Sequence, residues 1–147
     1  MPRNAAEYDL DFYAWAREQA GLLRAGKFSQ VDVENVAEEL ETMGRSDKRE
    51  IDSRLEVLLT HLLKWQIQVN FRSPSWRGTI LEPRRRIGKL LRESPSLRPV
   101  LDQLFPEAYE EARDKAANET GLPGATFPSI CPFTPEQILA EDFLPDD

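Results

Sequence analysis

Residues 47–72 read DKREIDSRLEVLLTHLLKWQIQVNFR, and no proline or glycine interrupts them. Placed at about 100° per residue, the apolar side chains cover well over half of the circumference, the pattern of a helix enclosed by its neighbours rather than lying on a surface. Asp47 with Glu50 three positions on has the form of a capping box, and Ser73-Pro74 supplies the stop, because the residue before proline avoids helical geometry. The stretch therefore predicts a long central helix over about 47–72. It also holds the single histidine of the chain, His61, in a surround of leucines and Trp65 that suits a core or a site equally.

Towards the N-terminus, Asp9 or Asp11 can cap a helix whose apolar positions Leu10, Phe12, Tyr13, Trp15, Ala16, Leu22 and Leu23 recur at helical spacing as far as Gly26. A second helix is expected over 31–43, with Val33, Val36, Ala37, Leu40 and Met43 on one side and Glu34, Glu38 and Glu41 on another. Gly44 is the expected left-handed stop between it and the central helix.

Towards the C-terminus, a fourth helix is expected from Ser75, with Trp76, Ile80, Ile87, Leu90 and Leu91 in one sector and Arg77, Arg84, Arg85, Lys89 and Arg92 in another. Pro83 should kink or divide it. After the break at Ser94-Pro95-Ser96 come a short turn over 97–105 and a helix that starts at Pro106, carries the Ala108, Tyr109, Ala112, Ala116 stripe and ends at Gly121. Residues 122–133, LPGATFPSICPF, are too rich in proline and glycine for regular structure and too apolar for a solvated linker, so they are expected to lie back on the bundle. Thr134, Pro135 and Gln137 then stand in the order of cap, first helical proline and capping-box glutamine, before an acidic tail at 145–147. No segment alternates as a strand does. The expectation is an all-α, single-domain bundle of five to seven helices over residues 1–147.

A chain of 147 residues can bury roughly 68–70% of its unfolded surface, enough for a core without staples. One cysteine, Cys131, rules out an internal disulfide and suits a reducing compartment. In its proline-flanked loop it reads as a small filler rather than a nucleophile. The N-terminal stretch MPRNAAEYDLDFYAW lacks the basic start and apolar run of a signal peptide, and no run approaches the ~18 apolar residues of a membrane span, so a cytoplasmic protein without membrane attachment is expected. The net charge of −7 divides into −4 over residues 1–71, +6 over 72–98 and −9 over 99–147. A basic middle between acidic flanks is more simply neutralised within the fold than used on nucleic acid, whose binders carry a basic excess over the whole domain.

The segments YDLDFYAWAREQAGLLRAGKF, VDVENVAEELETMGRSDKRE, SRLEVLLTHLLKW, RSPSWRGTI, SPSL, AYEEARDKAANETGL and CPFTPEQILAEDFLP, in that order and over nearly the entire chain, resemble the bacterial domain-of-unknown-function family number twenty-nine. The HLLKW and SWRGTI blocks are its most specific part. The resemblance implies a small helical bacterial protein and lends no activity.

Chemistry-bearing groups are few. On the central segment Arg54, His61 and Gln68 are spaced by seven, and Arg72 lies eighteen residues from Arg54, so a helix reaching that far would carry all four on one polar stripe. Such groups need partners, because leaving one buried and unpaired costs about 1–3 kcal/mol. Glu39 of the preceding helix is the expected partner of Arg54 or His61, either in a polar seam that sets helix register or as the floor of an anion or small-ligand pocket. Glu38, Glu39 and His61 form an incomplete metal set, and Glu38 with Glu41 lacks the second pair of a helical pyrophosphatase. No G-x-S-x-G context or phosphate loop appears. No catalytic residue and no cofactor is assigned.

Three functions compete on this reading. The first is a non-enzymatic protein-interaction module, with Arg77, Arg84, Arg85, Lys89 and Arg92 as its contact face and a protein or a second copy of the chain as partner. The second is a metal-dependent hydrolase of phosphorylated substrates built on Glu38, Glu39 and His61. The third is a weak nucleic-acid binder acting through the basic fourth helix, against which the acidic flanks count.

Overall fold

A computed structural model of the chain describes residues 5–146. The architecture is all-α: α1 (Ala5–Leu10), α2 (Phe12–Arg24), α3 (Val33–Ile67), α4 (Pro74–Glu93), α5 (Leu97–Thr120) and α6 (Pro135–Leu139), with 3₁₀ turns at Phe28–Gln30, Val69–Phe71 and Gly124–Thr126. It divides into two compact units, Met1–Ser46 and Asp47–Asp147.

The second unit holds the core. From α3 it takes Ile51, Leu55, Leu58, Leu59, Leu62, Leu63 and Trp65; from α4, Ile80, Ile87 and Leu90; from α5, Leu101, Phe105, Ala108, Tyr109, Ala112 and Ala116. Each fully buried leucine or isoleucine contributes about 1.5–3 kcal/mol over its exposed state. Phe127 and Phe133 of the irregular segment and Ile138 of α6 complete the cluster, so the 122–133 stretch does pack on the bundle as expected. The small stripe of α5 is buried, and Lys64–Glu119 (3.1 Å) and Lys115–Glu56 bridge α3 and α5.

Three expected boundaries are corrected. Gly44 does not stop a helix: the second and third expected helices are one, α3, and among the glycines only Gly26 and Gly121 take positive φ. Glycine costs about 1 kcal/mol relative to alanine inside a helix, whereas a break would open two helix ends with four unsatisfied backbone groups each. Arg45 also spans the position, donating to Glu38 (3.0 Å) and Thr42 (2.9 Å). At its other end α3 stops at Ile67 rather than 72, and Arg72 Nε donates to the Trp65 carbonyl (2.8 Å), a cation on the carbonyl end of the helix dipole.

Neither interior proline divides its helix. Pro83 lies inside α4 and Pro106 inside α5, which therefore starts at Leu97 and absorbs the expected turn. Each removes a hydrogen bond at a cost of about 3 kcal/mol, but buried side chains on both sides, Ile80 and Ile87 around Pro83 and Leu101 and Tyr109 around Pro106, offset it. Two other end signals act as expected: Gly121 closes α5 at φ 72°, and Thr134 with Gln137 forms a complete capping box. Ser73, read only as a stop, caps α4, which starts at Pro74 rather than Ser75; its hydroxyl accepts from Trp76 N–H (3.2 Å).

In the first unit, Asp11 caps α2 by accepting from Ala14 N–H (3.1 Å). Two side-chain pairs, Trp15 Nε1 to Asp32 Oδ2 (3.0 Å) and the Tyr8 hydroxyl to Glu39, run α1 and α2 back along the first turns of α3 in the opposite sense. Gln19 reinforces the clasp, accepting from Asp32 N–H (2.7 Å). Tyr8, Phe12 and Trp15 meet edge to face or tilted, with centroids 4.6–5.8 Å apart.

Candidate functional site

The polar stripe expected on the central segment dissolves into local partnerships. Arg54 makes a forked contact with Glu82 of α4 (3.0 and 3.1 Å), in place of the expected Glu39. Glu39 accepts from Tyr8, whose phenol is pushed up to about 12 by that hydrogen bond. Gln68 lies past the end of α3 and opens a 3₁₀ turn, so helical phase does not carry through it to Arg72. Arg72 stacks on the Trp65 ring (5.1 Å) with Arg77 nearby (5.8 Å), and these residues with Ser73 and Pro74 border a depression of about 510 Å³.

His61 is half-buried. Burial, then the positive charge of Lys64, lowers its pKa, with Glu119 opposing, so the neutral imidazole is favoured. A neutral imidazole could ligate a metal, but Glu38, the other outlying member of the expected set, is paired with Arg45 (3.0 Å). Among the described residues no three His, Cys, Asp or Glu side chains converge to hold a metal ion. Cys131 is half-buried, and burial pushes its thiol up to about 11, away from the thiolate that a nucleophile requires.

The basic face of α4 is also redistributed, with one correction. Arg84 is buried and belongs to no exposed contact face. Its guanidinium donates to the carbonyls of Ile138 (2.7 Å), Glu141 (3.0 Å) and Phe143 (2.8 Å), anchoring the segment after α6. Burial pushes its pKa down while Glu141 and Asp142 push it back up. The planar fork, with five donors, suits three carbonyls as a lysine would not. Arg85 is exposed and paired with Glu141 (2.8 Å), and Lys89 lies 3.9 Å from Glu93. Arg92 is exposed, with its guanidinium beside Gly88.

The surface that the residue-by-residue reading missed lies in the first unit. Phe12, Trp15, Ala16, Gln19, Ala20 and Leu23 form an i, i+3, i+4, i+7 stripe on α2 that faces Val36, Glu39, Leu40 and Met43 of α3 across a groove of about 390 Å³. Leu40 and Met43 are 64% and 63% exposed and Phe12 49%. Among the described residues, the first unit buries only Trp15 and Val31 of its apolar side chains, yet eight of the twelve exposed large apolar residues belong to it. Gln19 lies on the floor, 2% exposed, and its Nε2 has no hydrogen-bond partner. Both stripes were visible in the periodicity. That they remain open could not be read, because an amphipathic pair looks the same whether its faces are covered by one another or by a third party.

No described helix is long and apolar enough to cross a membrane. The family model described as "Domain of unknown function DUF29" matches residues 7–144. No curated protein and no solved structure matches the chain.

Proposed function

The chain belongs to the DUF29 family, and from that premise we propose that it is a non-enzymatic helical protein-interaction module of the cytoplasm, with the groove of residues 12–43 as its contact surface. One observation carries the reading: among the described residues, the first unit, about a third of the chain, exposes eight large apolar side chains and buries two. Scattered exposed leucines are ordinary, but a contiguous groove lined on both sides by apolar residues at helical spacing has the form of a helix-in-groove contact. The arginines of α4, by contrast, are partly taken up by the fold, Arg84 wholly so.

A photo-crosslinking side chain placed at Leu40 in the full chain tests this in cells. Discrete adducts at position 40, absent when the same group replaces the exposed Lys89, are expected. Equal, diffuse labelling from both positions would remove the support.

A further inference from the structure

Resting on that reading, we propose that the occupant of the groove is a second copy of the chain, two hairpins of α2 and the first turns of α3 closing on one another about a two-fold axis into a four-helix bundle.

Three features favour a copy over another protein. The first is stability. A module of some forty residues without a disulfide or metal ordinarily cannot hold itself folded, and one whose described apolar side chains include only Trp15 and Val31 as buried is well below that limit. It needs a cover that is always present, and the one polypeptide guaranteed to accompany the chain at its own concentration is the chain.

The second is shape. A two-fold contact demands that one surface offer both knobs and holes. The stripes do so: Phe12, Leu23, Leu40 and Met43 line the groove with Ala16 and Ala20, and on helical phase Ala37 and Gly44 flank Leu40. On α3 the open positions Val33, Val36, Ala37, Leu40, Met43 and Gly44 repeat every seven residues, the interval of a helix–helix seam.

The third is charge. Residues 12–27 carry +2, whereas residues 32–45 carry −4. On helical phase Arg17 and Arg24 lie at one edge of the α2 stripe, and Glu34 and Glu41 at one edge of the α3 stripe, each pair seven apart. Setting α2 of one copy against α3 of the other brings unlike edges together on both sides of the axis; setting like helices together would not. Glu41 already lies 3.7 Å from Arg45 of its own helix, an exposed pair that a partner can outbid.

Sedimentation equilibrium of the full chain should give twice the 16.9 kDa of one chain. Leu40→Glu with Met43→Glu should give a monomer, with Trp65 fluorescence and thermal unfolding of the second unit retained. Because that variant disturbs packing as well as contact, charge reversal supplies the decisive arm. Arg17→Glu/Arg24→Glu and Glu34→Lys/Glu41→Lys should each lower self-association at least tenfold, and an equimolar mixture of the two should restore a dimer. A wild-type monomer at 100 μM, or charge variants that dimerise alone as well as mixed, overturns the proposal. A monomer whose position-40 crosslinks persist to a different protein overturns the second copy but leaves the interaction module standing; a monomer without such crosslinks overturns both.

Discussion

His61 shows how environment assigns a single side chain its role. Its pKa is lowered, first by burial and then by Lys64, so the folded chain resists a proton that the unfolded chain accepts. Above about pH 6.5 both states hold the neutral ring and the full stability is present. As pH falls below that value towards the lowered folded one, protonation of the unfolded state alone draws stability away. Thermal melts should therefore lose more between about pH 7 and pH 5.5 in the wild type than in His61→Gln, whose carboxylates titrate alike. Parallel pH profiles for the two proteins would show that the ring is not held neutral. The same side chain explains why sequence reasoning left site and core open: periodicity placed His61 on a largely apolar helix, but its protonation depends on Lys64 and Glu119, the latter supplied by α5.

Among the elements, α4 was read correctly in extent and wrongly in the use of one arginine. Arg84 falls close to Leu91 on helical phase, at the edge of the sector that Ile80 and Ile87 occupy, and this position was the available signal that it turns inward. What it meets there, one carbonyl of α6 and two of the segment after it, comes from more than fifty residues further along the chain. Arg84→Met strands those acceptors and should cost on the order of 3–5 kcal/mol, read as a drop in urea midpoint with accelerated amide exchange over 138–144. Arg84→Lys should recover only part of the loss, since an ammonium cannot span three acceptors in one plane. An unchanged midpoint in Arg84→Met would mean that the anchor is replaceable by solvent. The fusion across Gly44 and the inclusion of Pro83 and Pro106 have a related cause. A breaker acts only when its local penalty exceeds what the flanking burial or the avoided helix ends contribute.

Across the full chain, stability is unevenly distributed. The second unit buries a ladder from Ile51 to Trp65 against α4 and α5, while the first is held by the polar clasp of Trp15, Gln19 and Asp32 and leaves its groove open. Amides over 51–63 should exchange only by global unfolding, and those over 12–43 far sooner. If a second copy is the cover, diluting the protein a hundredfold should speed exchange in 12–43 alone; protection there that ignores concentration would contradict it.

Composition, hydrophobic period and end signals sufficed for the all-α class, the enclosed segment around Leu55–Leu63, the ends at Gly121 and Thr134, and the family, because each depends on residues within a few turns of one another. The partners of Arg54 and Arg84, the continuity of α3 through Gly44 and the open groove of α2 and α3 were settled by the folded chain. Burial and hydrogen bonding there join groups distant along the chain, and a local pattern carries no record of which distant surface comes to meet it.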